Sequence, residues 1–181
     1  MQIYLDYSAT TPPRAEVIAV MQSAMIEGWG NPSSLHRWGA QAATVLETAR
    51  MQVAELIGAP SDGVVFTASG TEANNLAIMG VAQQYRQPRH MIISAVEHSA
   101  IANPIALLEQ WGWHITRLPV DRYGQVNPAE LAASLRQDTV LVSVIYGQSE
   151  VGTLQPISEL AAVIQAAGGL ATPLFHTDAV Q

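Results

Sequence analysis

The apolar positions of this chain alternate between two spacings. Short apolar runs typical of buried strands occur at residues 64–66, 91–93 and 140–145, and another begins at 174–176. A further strand is predicted at residues 114–118, between two helices. Between the strands, apolar residues recur every third or fourth position, which predicts helices at residues 13–27, 36–57, 71–85, 101–111, 128–135 and 158–167. Short apolar strands that alternate with helices require a largely parallel sheet with helices on both faces. The predicted fold class is therefore α/β, with three layers.

Composition narrows the class of protein. Of the 181 residues, 49% are hydrophobic and 13% are charged, which is typical of a chain with a buried core. The net charge of −7 argues against a nucleic-acid partner. Because no apolar run approaches the roughly 20 residues of a membrane helix, we expect no membrane partner and a cytoplasmic location. The chain has no cysteine, and all 8 of its basic residues are arginines, so it offers neither a thiol nor a lysine.

Residues 67–75, Thr-Ala-Ser-Gly-Thr-Glu-Ala-Asn-Asn, lie between a predicted strand and a predicted helix, and we call them the phosphate segment. Gly70 lets the backbone approach a ligand closely, and the N–H groups at a helix start suit a phosphate. The hydroxyl groups of Ser69 and Thr71 could add donors. From this segment alone a second interpretation stays open, in which Thr71 only caps the helix. The lysine of a P-loop and the glycine spacing of a dinucleotide site are both absent.

Two further polar positions follow predicted strands. His98 follows the strand at 91–93 and could stack on a planar ring or transfer protons, or it could only cap the next helix. Asp178 follows the strand that begins at 174, and Gln181 lies three residues on. A carboxylate beside a pyridine nitrogen keeps that nitrogen protonated, although capping a helix is the commoner role of such an aspartate. Because carboxyl ends of parallel strands share one edge, these groups would meet there and form a pocket for pyridoxal 5'-phosphate (PLP).

No metal-ligand spacing links the remaining histidines, so no metal site is predicted. The loop at 146–152 also follows a predicted strand, which places Gln148 and Ser149 near the same edge.

Six motifs carry a resemblance to a known family. They are YLDYSATTP at 4–12, GNPSS at 30–34, FT with TEANN at 66–75, EH at 97–98, EVG with QPI at 150–157, and HTDAVQ at 176–181. They occur in the order found in cysteine desulfurases. Over essentially its whole length, the chain resembles the NifS/IscS-like branch of the class V aminotransferase superfamily.

The resemblance implies a PLP enzyme of fold type I, normally a homodimer, that converts L-cysteine to L-alanine and an enzyme-bound persulfide. The sulfur would then go to iron–sulfur cluster assembly, with an iron–sulfur scaffold protein as a candidate partner. By family position, Gly70 and Thr71 would bind the cofactor phosphate and His98 would stack on the ring as the catalytic residue. Asp178 would pair with the ring nitrogen, and Gln181 would reach the ring hydroxyl oxygen.

The chain departs from the family pattern at two places. Ser149 stands where many members have an asparagine that contacts the cofactor. Because serine is shorter, that contact could be lost, bridged by water or made by Gln148. The phosphate segment has Ala-Ser-Gly-Thr where Ser-Gly-Ala-Thr is commoner, but Thr71 keeps its position.

The family's Schiff-base lysine, sulfur-accepting cysteine and substrate-binding arginine are expected beyond Gln181. We therefore expect residues 1–181 to be an N-terminal segment plus most of the PLP-binding large domain, without the C-terminal small domain and inactive alone. A parallel sheet that ended there would expose an edge, so a homodimer or a complementing chain is expected. Three alternatives stay open: another class V PLP lyase such as a selenocysteine lyase, a split or pseudo-enzyme subunit that acts as an interaction partner, and a plain phosphate- or nucleotide-binding domain.

Overall fold

The computed structural model describes residues 2–168 and 172–181, which divide into two compact units between Phe66 and Thr67. The first unit is helical and contains α1 (Ala15–Glu27), α2 (Arg37–Ile57) and a single 3-10 turn, Ser61–Gly63. His36 caps α2, since its Nδ1 accepts a hydrogen bond from the Gly39 N–H at 3.2 Å. Both helices were predicted from the apolar spacing, and their bounds lie within two residues of the predicted ones.

The predicted strand at residues 64–66 is wrong. These residues have no strand partner among those that the structure describes, and only Val64 is buried. The Arg50 guanidinium donates to the Val64 carbonyl and lies 5.1 Å from the centre of the Phe66 ring. The apolar run is thus held by a cation and a turn rather than by a sheet, because three residues alone cannot form a strand without a partner.

The second unit is an α/β layer structure. In chain order its elements are α3 (Gly70–Ala82), β1 (His90–Ser94), α4 (Ser99–Gln110), β2 (His114–Leu118), α5 (Pro128–Ser134), β3 (Thr139–Ser143), α6 (Ile157–Ala166) and β4 (Leu174–His176). The four strands lie in the order β2-β1-β3-β4, and every neighbouring pair is parallel. The prediction of an α/β fold with a parallel sheet is confirmed.

Helices cover both faces of this sheet. Successive side chains of a strand point to opposite faces, so Met91 and Ile93 of β1 pack with α3 and α4 while Ile92 packs on the side of α5 and α6. All residues of the central strands β1 and β3 are buried, whereas the edge strands β2 and β4 are partly exposed. The three predicted layers are therefore confirmed.

The parallel arrangement fixes where polar loops can meet. Ser94, Leu118, Ser143 and His176 end the four strands along one edge, and the segments that follow them face the same side. Within the described residues, no helix is both long enough and apolar enough to span a membrane.

Candidate functional site

The start of α3 is capped by Ser69 rather than by Thr71. The Ser69 Oγ accepts a hydrogen bond from the Glu72 N–H at 3.2 Å, and the Glu72 carboxylate accepts one from the Ala68 N–H at 2.7 Å. The interpretation that Thr71 caps the helix is therefore wrong, because Thr71 is the second helical residue. The N–H groups of Gly70 and Thr71 have no partner within a helix, so they stay available to an anion.

Gly70 is set close to the segment after β4. A Cβ atom at this position would lie 2.8 Å from Cγ2 of Val180, which is closer than carbon atoms can pack. Glycine therefore allows the start of α3 and the segment after β4 to lie side by side.

Replacing Ser69 by alanine is expected to lower the free energy of unfolding by about 1 kcal/mol, because the first turn of α3 loses its side-chain cap. Thr71→Ala is the matched control, since it removes a hydroxyl from the same turn without removing the cap. Urea unfolding of the two variants measures the difference. A loss in Thr71→Ala as large as that in Ser69→Ala would contradict the assignment of the cap.

Asp178 lies in the segment that follows β4, and only 7% of it is exposed. Its Oδ2 accepts a hydrogen bond from the Asn74 Nδ2 at 2.8 Å, and its Oδ1 accepts one from the Val180 N–H at 3.1 Å. These bonds fix the carboxylate beside α3, one turn beyond Gly70. The Asp178 carboxylate and the start of α3 therefore lie at neighbouring points of the sheet edge.

Asn74 was missed in the sequence, although the structure makes it the buried partner of Asp178, with 5% exposure. The available signal was its position four residues after Gly70, which places both residues on one face of the helix. A polar residue there needs a partner when that face packs against a sheet.

His98 caps α4. Its Nδ1 accepts a hydrogen bond from the Ala100 N–H at 3.1 Å, so the capping interpretation is confirmed. This bond fixes the orientation of the ring and leaves the proton of a neutral imidazole on Nε2. The side chain is exposed at the edge that also carries Asp178, and its stacking on a cofactor ring stays a prediction.

Glu97, directly before His98, joins two strand ends. Its Oε1 accepts hydrogen bonds from the Ser94 Oγ–H at 2.5 Å and from the Ile145 N–H at 2.8 Å. Burial raises the pKa of the Glu97 carboxyl to about 7; the two hydrogen bonds lower it, and the Asp178 charge raises it further. No role is predicted for Glu97 from the sequence.

His176, at the end of β4, contacts the neighbouring strand. Its Nδ1 lies 2.9 Å from the Ser143 Oγ. Burial lowers the pKa of His176, and the Asp178 charge opposes that shift. In residues 2–168 and 172–181, no group of three or more His, Asp or Glu side chains could hold a metal ion.

The loop after β3 is shaped by Gln148. Its Oε1 accepts hydrogen bonds from the N–H groups of Glu150 and Val151 at 2.7 and 2.8 Å. That oxygen is therefore not free for a cofactor, and the half-buried Ser149 sits in a loop whose shape the glutamine determines. Gln181 lies against the start of this loop, since a Cβ atom on Gly147 would lie 3.8 Å from the Gln181 carbonyl carbon.

The family follows from comparison with known proteins. The family model Aminotransferase class-V matches residues 3–181. The chain belongs to the aminotransferase class-V family. This family is PLP-dependent. The resemblance stated from the sequence motifs is confirmed.

Relatives in this class-V family are named as cysteine desulfurases. The cysteine desulfurase IscS of Dictyoglomus turgidum is 46% identical in an alignment 181 residues long, which covers 99% of this chain and 45% of that protein. The cysteine desulfurase IscS of Methanosarcina thermophila is 42% identical over 180 residues, 99% of this chain and 44% of that protein. The chain thus spans about half the length of the curated relatives it matches.

Solved structures agree with this class-V assignment. A NifS-like protein superposes with a TM-score of 0.95 at 33% identity, over 100% of this chain and 49% of the other. SspA in complex with cysteine superposes with a TM-score of 0.91 at 31% identity, over 98% of this chain and 50% of the other.

The described residues fit the cofactor of the class-V family. The start of α3 offers N–H groups to a phosphate, and the absence of a side chain at Gly70 lets that end lie against the segment that carries Asp178. The Asp178 carboxylate is buried and already oriented by Asn74, as a partner for a protonated ring nitrogen must be.

Proposed function

We propose that this chain forms the PLP-binding part of a cysteine desulfurase, with residues 1–181 supplying an N-terminal segment and most of the large domain. The observation that carries the proposal is the Asn74–Asp178 hydrogen bond of 2.8 Å, one helical turn from Gly70. This bond holds a buried carboxylate beside the start of α3, which supports a site with one group for each end of PLP. The names of the relatives support cysteine desulfurase within the class-V family.

Each residue of this site has a role in the proposal. Gly70 and Thr71 bind the phosphate through their N–H groups. Asp178 holds a proton on the ring nitrogen, because its charge favours the protonated form. His98 lies over the ring as the catalytic residue, with its orientation set by the cap of α4. When bound, PLP supplies an electron sink for the bonds of the substrate amino acid.

Ser149 and Gln181 complete the cofactor contacts in the proposal. Gln181 approaches the ring hydroxyl oxygen. The Ser149 hydroxyl reaches less far than the amide of an asparagine, and the Gln148 Oε1 cannot replace it because it binds its own loop.

The overall reaction breaks the C–S bond of L-cysteine. The sulfur passes to an acceptor thiol, which becomes a persulfide, and the carbon that loses sulfur takes up a proton to give L-alanine. Both the thiol and the Schiff-base lysine come from outside this cysteine- and lysine-free chain. We therefore propose that the chain acts as a homodimer or with a complementing chain. We also propose an iron–sulfur scaffold protein as a partner and a cytoplasmic location.

The binding test uses the chain with PLP and with pyridoxal, which lacks the phosphate. We expect reversible binding of PLP, measured by absorbance titration, and much weaker binding of pyridoxal because the start of α3 then has no anion to bind. Borohydride treatment should leave no side chain modified, since the chain has no lysine. A borohydride-stable adduct on a side chain, or binding of nucleotide without binding of PLP, would overturn the proposal.

The activity test adds the polypeptide that supplies the lysine and the thiol. With L-cysteine we expect alanine and persulfide in equal amounts, and selenocysteine serves as the competing substrate. Turnover of selenocysteine without turnover of cysteine would identify a selenocysteine lyase instead.

A further inference from the structure

Glu97 connects the two central strands at the edge that carries the site. Ser94 ends β1, and Ile145 lies two residues beyond the end of β3. Both donate to the same carboxylate oxygen, Oε1, at 2.5 and 2.8 Å. The segment between β1 and α4, which includes His98, is thereby tied to the loop after β3.

The two oxygens of Glu97 have different surroundings. Oε1 accepts two hydrogen bonds, whereas Oε2 is inaccessible to solvent and has no hydrogen-bond partner among residues 2–168 and 172–181. An ionised carboxylate would leave part of its charge on a buried oxygen without a donor, which is costly. A carboxylic acid with its proton on Oε2 avoids that cost and keeps both bonds to Oε1.

The charges around Glu97 favour the same state. Among the described residues, the charged group that faces Glu97 is Asp178, from the segment after β4. On the sides of β1 and β3 its partners are the uncharged Ser94 hydroxyl and the Ile145 N–H. His176 contacts Ser143 and feels the same Asp178 charge. A second negative charge on Glu97 would therefore be repelled by Asp178.

We propose that Glu97 is a positioning residue that carries a proton on Oε2, ties the segment before His98 to the end of β3, and leaves the negative charge of the site on Asp178. We call the two hydrogen bonds that Glu97 accepts from Ser94 and Ile145 the clamp, and these bonds are observed. Its effect on PLP rests on the proposed function. Glu97 acts by holding the segment that carries His98 against the loop after β3, and it does not touch the cofactor.

The proton makes the clamp depend on pH. The folded-state pKa of Glu97 is about 7, above its ordinary value of 4.5, so the folded chain binds this proton more tightly than the unfolded chain. The stabilisation is complete below pH 4.5 and is lost as the pH rises through about 7. Glutamine at this position keeps an oxygen that can accept both hydrogen bonds, and it does not titrate.

The experiment compares the chain with E97Q, E97A and the control E130Q, which changes an exposed glutamate in the first turn of α5. In the unsubstituted chain labelled with 13C-glutamate, we expect the Glu97 carboxyl signal to titrate near pH 7 and the Ile145 amide signal to move with it. The Tm of the unsubstituted chain should fall relative to E97Q by about 3–6 °C between pH 5 and pH 8. E130Q should follow the unsubstituted chain.

PLP titration separates the clamp from the proposed function. We expect E97A to bind PLP about 10-fold more weakly and E97Q to retain the affinity of the unsubstituted chain at pH 6. A Glu97 midpoint near 4.5, or equal losses of affinity in E97Q and E97A, would overturn the inference even if PLP binds. Failure of the unsubstituted chain to bind PLP would overturn the proposed function, while a midpoint near 7 shared by Glu97 and Ile145 would still support the clamp.

Discussion

Asp178→Asn should weaken PLP binding about 100-fold without unfolding the chain. Removing one member of a buried, hydrogen-bonded charge pair typically costs about 2–5 kcal/mol, and 100-fold corresponds to about 2.7 kcal/mol. Asparagine keeps the size of the side chain and an oxygen that can accept from the Asn74 Nδ2. Its amide then replaces Oδ1 opposite the Val180 N–H, so the loss reports the missing charge opposite the ring nitrogen together with that hydrogen bond. Absorbance titration with PLP measures it.

Two further variants serve as controls for Asp178→Asn. Asp62→Asn removes an exposed carboxylate from the 3-10 turn and should leave PLP affinity unchanged. Asp178→Ala should also lower the free energy of unfolding by about 1–3 kcal/mol, because it leaves the buried Asn74 amide without its partner. PLP affinity that is the same in Asp178→Asn as in the unsubstituted chain would contradict the assigned role of Asp178.

The second large effect is expected on the free energy of unfolding, from a substitution in the core of the sheet. Ile92→Ala should lower the free energy of unfolding by about 3 kcal/mol, measured by urea unfolding. Ile92 lies in a central strand, is 0% exposed and packs on the side of the sheet that α5 and α6 cover. Truncation of this side chain therefore loses apolar contact and leaves a cavity. Substitution of a buried isoleucine by alanine typically costs about 2–5 kcal/mol.

Leu76→Ala is the matched control for the core, because it truncates an apolar side chain that is 55% exposed on α3. Its effect should stay within about 0.5 kcal/mol. If Leu76→Ala destabilised the chain as much as Ile92→Ala, the exposed face of α3 would have to be buried in solution, and the assignment of the core would be wrong.

The sheet could be predicted because its strands carry their own signal. The runs at 91–93 and 140–145 are apolar, bounded by polar or turn residues and separated by helical spacing, so the alternation of strands and helices implies a parallel sheet. Residues 64–66 carry a similar signal but form no strand. The difference lies outside the run, in the Arg50 side chain and, within residues 2–168 and 172–181, in the lack of a neighbouring strand. Local hydrophobicity cannot report either.

Candidate site residues could be predicted where a polar side chain lies in the segment after a strand, as His98 and Asp178 do. The residues that hold them were harder to predict. Asn74 is 104 positions from Asp178, and Glu97 is 48 positions from Ile145, so nothing near these residues in the sequence indicates the pairing. From the sequence, Ser69 is predicted only as a donor to phosphate. Its role as the cap depends on the residue at which α3 begins, and helix ends are poorly predicted from sequence.

The hydrogen bond between Asn74 and Asp178 also has a consequence for the order of folding. It closes a loop of 104 residues that contains every strand of the sheet, so we expect it to form after β1, β3 and β4 have paired. During synthesis, α3 emerges long before the carboxylate that completes its surroundings. A chain in which α3 has formed but the sheet has not would therefore have the start of α3 without the buried acid. Under the proposed function, binding of PLP through both groups requires a chain that has finished folding.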